Sequence, residues 1–172
     1  MSLMPAARPL DPWRWLAWPA LLCVAATILF AVPLKIFGLQ IPQPVFPMIL
    51  AFAWALVRPS VLAPFGLLLA GLFLDHYWGG PLGLWPISLL VPYAAVLAAR
   101  GVMTGHSGPM RLIWYIAAVA LAMLTGFLLS ALDAIAYPGL VPMLWQFFAT
   151  CLLYPFAHRL IERFEDADVR FR

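Results

Sequence analysis

Long apolar runs alternate with short polar or proline-rich intervals along the whole chain, and the runs set the elements. Trp15 to Leu34 is a stretch of 20 uncharged residues, enough to cross a bilayer as one helix that ends near Pro33. Gly38 to Pro47 carries Gln40, Pro42, Gln43, Pro44 and Pro47. Prolines at that density exclude a regular helix and predict a loop or a partly inserted extended segment. Two short apolar runs follow, Met48–Val57 and Val61–Leu74, separated by Arg58-Pro59-Ser60. A ten-residue helix covers only about 15 Å, so this pair reads either as two tightly turned spans or as a re-entrant hairpin buried in protein. Leu84–Ala99 is the next run, with Pro86 and Pro92 predicting a kinked helix. Leu112–Leu132 is 21 uncharged residues, and Leu140–Ala157 is the last run. The pattern predicts an all-α polytopic membrane protein, a compact bundle of about six transmembrane helices. Residues 1–14 form an N-terminal tail, 15–160 a single helical domain and 161–172 a C-terminal tail.

Composition agrees and narrows the possibilities. The chain has 172 residues, 65% hydrophobic and 10% charged, with mean hydropathy +0.96. Soluble domains are about half apolar and about a quarter charged, so lipid is the only place for this much apolar surface. Arg8 and Arg14 precede the first run as in a signal peptide, but the run is too long and lacks a small-residue cleavage site, which predicts an uncleaved helix. With six spans and the N-terminus inside, the cytoplasmic segments hold Arg8, Arg14, Arg58, Arg100, Arg111, Arg159, Arg163, Arg170 and Arg172. The outer segments hold Lys35, Asp75 and Asp133. That bias predicts both termini on the cytoplasmic side of the membrane. A single span over residues 48–74 would turn Arg100 and Arg111 outward and is rejected. The net charge of +3 is small and dispersed, and no nucleic-acid motif occurs.

Catalytic chemistry is hard to assemble from this chain. His76, His106 and His158 fall on different loops, and Cys23 and Cys151 lie inside apolar runs without metal-ligand spacing. No nucleophile motif, phosphate loop or nucleotide fingerprint occurs. The expectation is therefore a protein without catalytic residues, metal or cofactor. One polar group stands out: Asp75, at the end of an apolar run and spaced at four-residue intervals from Gly71, Gly79 and Gly83. An acid there needs a partner, an interface or a cavity. It is expected to accept hydrogen bonds from backbone N–H groups of its own glycine-rich turn, and so to shape that turn for docking a partner. Ala118, Ala122, Gly126 and Ser130 form a small-residue ridge on the fifth span, suited to close helix packing or to a partner helix. Gln146 reads as an interhelical hydrogen-bond donor.

The spacing Gly71, Asp75, Gly79, Gly83, with Pro81-Leu82-Gly83 inside it, resembles MreD, the family of bacterial rod-shape-determining membrane proteins. Length and hydropathy fit along the whole chain, while the specific motif covers about 15 residues. The resemblance implies a non-enzymatic scaffold or regulator of the cell-wall elongation complex. Its partners would be MreC and, directly or through it, MreB, a SEDS glycosyltransferase and a class B penicillin-binding protein, within membrane lipid. It also implies a fold similar to the substrate-binding subunits of energy-coupling-factor transporters. The alternative function is therefore a small-molecule-binding transporter subunit, with Gln40, Gln43, Asp75, Tyr77 and Trp78 as candidate contacts.

Overall fold

The computed structural model describes the backbone of residues 13–30, 35–36, 39–40, 42–57, 60–103, 108–132 and 139–169, and most of their side chains. Lys35, Gln40, Arg58, His106 and Asp133, to which the sequence assigns roles, have side chains outside the described residues. So do residues 1–14 and 165–172. The fold is helical apart from one two-residue antiparallel ladder, β1 (Lys35–Ile36) with β2 (Leu39–Gln40).

A π-helical turn, Trp13–Ala17, leads into α1 (Trp18–Leu29). Next are α2 (Pro47–Val57) and α3 (Leu62–Trp78). Then come α4 (Leu84–Met103), α5 (Gly108–Leu132), α6 (Leu140–Cys151) and α7 (Tyr154–Val169). Three stretches are long and apolar enough to cross a membrane: Leu84–Met103, Gly108–Leu132 and Leu140–Phe164. The protein is thus an all-helical membrane protein, with three further apolar helices too short to meet that length.

Proline sets many of the boundaries. Pro47 opens α2 at a position where its missing N–H costs nothing. Residues 47–57 and 62–78 form two separate helices, with Ser60 Oγ accepting from the Leu62 N–H at 3.1 Å to start the second. Pro155 removes a donor just after the Leu152–Leu153 turn, dividing the last span into α6 and α7. Two expected boundaries shift here. The fourth helix holds Pro92 inside it and extends past Ala99 to Met103, and α7 continues through residue 161, the expected start of the tail.

α2 is the core. Met48 to Leu56 are buried on every side of this helix, with Leu50, Ala51, Phe52, Ala53 and Ala55 fully enclosed. At about 16 Å it is too short to span, and neighbours α1, α3, α4 and α7 wrap it. The contacts also fix helix directions. Trp54 Nε1–H donates to the Trp15 carbonyl at 3.2 Å, while Phe46 meets Phe30 with centroids 5.5 Å apart, so α1 and α2 are antiparallel. α2 and α3 form an antiparallel hairpin, because Gly66 faces Trp54 and Trp78 reaches back to Gln43. Ser88 against Gly126 continues the alternation through α4 and α5, and Tyr115 against Tyr154 sets the start of α5 beside the junction of α6 and α7. One end of the bundle therefore carries Arg100, Arg111, Arg159 and Arg163, and the other carries Asp75 and its turn.

Candidate functional site

The glycine–aspartate corner joins α3 to α4. Gly79 closes α3 in the left-handed conformation, φ +67°, which glycine adopts without strain. The N–H groups of Gly79 and Gly80 both donate to the Asp75 carbonyl, the second at 3.0 Å. The Asp75 side chain faces the other way. Its Oδ2 accepts from the Gly83 N–H at 2.6 Å and its Oδ1 from the Trp85 N–H at 2.9 Å. The carboxylate is 1% exposed, so these bonds replace solvent. It therefore sits at the N-terminus of α4, where unpaired N–H groups and the helix dipole both favour an anion.

The remaining donors of that terminus are also accounted for. Leu84 N–H reaches the Pro81 carbonyl at 3.3 Å, Ile87 N–H reaches Gly83 at 3.2 Å, and Pro86 has none to satisfy. Gly83, at φ +96°, aims its own N–H at Asp75. Gly71 lies one turn below Asp75, where a Cβ would stand 2.9 Å from Pro86 Cδ and nearer still to its backbone. α3 and α4 thus touch backbone to backbone, which keeps the carboxylate within reach. Pro81 and Leu82 form the exposed tip, Leu82 being 83% exposed.

A polar clasp holds this corner to the rest of the bundle. Trp78 Nε1–H donates to Gln43 Oε1 at 3.1 Å, and its ring meets Trp85 edge-on at 4.8 Å. Gln146 Nε2 donates to the Gln43 carbonyl at 3.2 Å, so its partner is the main chain of the non-helical 42–46 segment and not the helix that the sequence led one to expect. Val45 N–H donates to Thr150 Oγ1 at 3.1 Å, and Tyr115 donates to the Thr150 carbonyl at 3.1 Å. The proline-rich segment 42–46 is therefore an inserted strap. Pro42, Pro44 and Pro47 bring no donors that would need satisfying, and Val45 and Phe46 are buried.

The ridge residues divide between packing and a cleft. Ala118 and Ala122 are buried, and a Cβ on Gly126 would lie 3.2 Å from Ser88 Oγ. Ser130 donates to the Gly126 carbonyl at 2.8 Å. Ala122, Gly126 and Ser130 line a cleft of about 180 Å³ with Trp85, Met143 and Gln146. Ser88 is fully buried with no hydrogen-bond partner for its Oγ.

Asp75 and His76 point apart, the histidine being exposed. Among the described residues no three His, Cys, Asp or Glu side chains gather as a metal site. Sequence reasoning missed the Gln43 clasp and the buried Ser88. The clasp joins positions 35 and 103 residues apart, and no local pattern marks such a pair.

No protein-family model, curated protein or solved structure matches the chain.

Proposed function

We propose that this protein is a non-enzymatic membrane scaffold of the MreD kind, acting in the cell-wall elongation complex of a rod-shaped bacterium. The observation that carries the proposal is how the motif residues are used. Gly71, Asp75, Gly79 and Gly83 are all spent on backbone geometry: a close crossing, two positive-φ turns and a carboxylate that ends one helix and begins the next. Such a corner is rigid and presents Pro81 and Leu82 outward, which suits recognition of a partner. Its carboxylate accepts from two backbone N–H donors and makes no ion pair among the described residues. In this reading the corner docks a bitopic partner of the MreC kind, and the assembly passes that contact to MreB and to the SEDS glycosyltransferase and penicillin-binding protein pair. A bundle architecture akin to energy-coupling-factor binding subunits belongs to the same proposal.

The competing reading is a small-molecule-binding transporter subunit, and the cleft beside Trp85 and Gln146 is its natural site. At about 180 Å³ this cleft is smaller than the roughly 300–1,000 Å³ usual for ligand pockets, which speaks against a small-molecule site at this place. Depletion in the native host separates the two. Rounding of cells with normal growth requirements is the expected result. A growth defect cured by one nutrient, with cell shape unchanged, would overturn the scaffold reading.

A further inference from the structure

A second concavity lies far from the Asp75 corner and belongs to none of the chemistry above. α1 and α7 both pack against α2, and a groove of about 380 Å³ runs between them. Ile49 and Leu50 of α2 form its floor; Leu22 and Ala26 of α1 and Phe156 and Leu160 of α7 form its walls. No lining side chain carries a nitrogen or an oxygen, so a polar ligand would find no partner there. Left empty, the groove would forfeit dispersion contacts along its whole lining.

Its size selects the occupant. A helix with its side chains is about 10 Å across, and two turns displace roughly 850 Å³, so a partner helix could insert only a few side chains and would leave the length of the groove unfilled. A single hydrocarbon chain can fill it. The volume holds about a dozen groups the size of a water or a methylene at roughly 30 Å³ each.

The charged end of the groove adds specificity. Phe156, Leu160 and Arg163 follow one another at i, i+4 and i+7 along one stripe of α7. Arg163 is exposed, one turn past the apolar wall, and pairs with no acid among the described residues. Arg159 is exposed on the adjacent stripe. A guanidinium fork at that place matches the oxygens of a phosphate. We propose that the groove between α1, α2 and α7 binds one acyl chain of an anionic phospholipid, with Arg163 holding the phosphate. This inference rests on the membrane environment alone and not on the scaffold reading.

Native mass spectrometry of the full chain, extracted in mild detergent and reloaded with phosphatidylglycerol or phosphatidylcholine, tests it. One phosphatidylglycerol should stay bound in preference to phosphatidylcholine. Ala26→Phe, whose ring would block the groove at its α1 wall, should remove the adduct while the variant remains helical by circular dichroism. Arg163→Gln should lower the preference for phosphatidylglycerol by about fivefold, the effect of one basic residue at an anionic headgroup. Arg163 is exposed, so this second variant stays informative even if Ala26→Phe fails to fold. Equal retention of the two lipids by the wild type would overturn the proposal, as would an adduct that survives both substitutions. Cross-linking of Ala26→Cys to a second polypeptide in native membranes would overturn the choice of occupant.

Discussion

A carboxylate buried at the end of an apolar helix must find donors, and Asp75 finds them on the next element. Its main chain closes α3 through Gly79 and Gly80, while its side chain caps α4 through Gly83 and Trp85. Removing the side chain would leave two N–H groups, on the half-buried Gly83 and Trp85, without their acceptor. Loss of a cap costs about 1 kcal/mol and each stranded buried donor about 1–3 kcal/mol. Asp75→Ala should therefore destabilise the protein by roughly 3 kcal/mol. Asp75→Asn keeps one good acceptor and should lose about half as much. Thermal unfolding in detergent checks the order, wild type above Asn above Ala; an alanine variant as stable as wild type would show that the cap contributes nothing. The acid, its glycines and its need for donors are legible from residues 71–83 alone. The identity of both donors is not, because the reach to Trp85 depends on how closely α3 and α4 cross.

That crossing is a property of the two elements together. Gly71 offers no Cβ, and Pro86 presses its ring and backbone into the space. A methyl group there has no flexible neighbour to push aside, so α3 and α4 must separate. Overpacking of this kind costs about 1–3 kcal/mol, and here the separation would also stretch the Asp75 bonds. Gly71→Ala should thus lower thermal stability clearly, while Gly80→Ala, with open space around it, should change it little. Equal effects at the two positions would mean that the close crossing is not a constraint. Element boundaries are largely legible because proline marks them: Pro47 opens α2, and Pro59 follows its end. Pro155 carries the same signal for the break between α6 and α7, although the apolar run masks it. The central place of α2 is not legible. A helix apolar on all sides reads the same whether lipid or protein surrounds it, and only the packing of α1, α3, α4 and α7 distinguishes the two.

At the scale of the whole molecule, alternating helix directions separate the charges. Arg100, Arg111, Arg159 and Arg163 gather at the end opposite Asp75, although they come from three different parts of the chain. Short basic loops of this kind are retained on the cytoplasmic side, so the arginine end should face the cytoplasm and the Asp75 corner the far side. Two exposed positions report on this directly: Leu82 at the corner, 83% exposed, and Val102 beside Arg100, 63% exposed. In a background with Cys23 and Cys151 replaced by alanine, a membrane-impermeant maleimide should label Leu82→Cys in intact spheroplasts. Val102→Cys should react only after permeabilisation. The reverse pattern would invert the bundle, putting the Asp75 corner on the cytoplasmic side, out of reach of an extracytoplasmic partner segment. The same inversion would leave the acyl-chain groove intact but move Arg163 to the opposite leaflet. The labelling pattern thus bears on the scaffold reading through the corner, and on the lipid site only through the leaflet that supplies it.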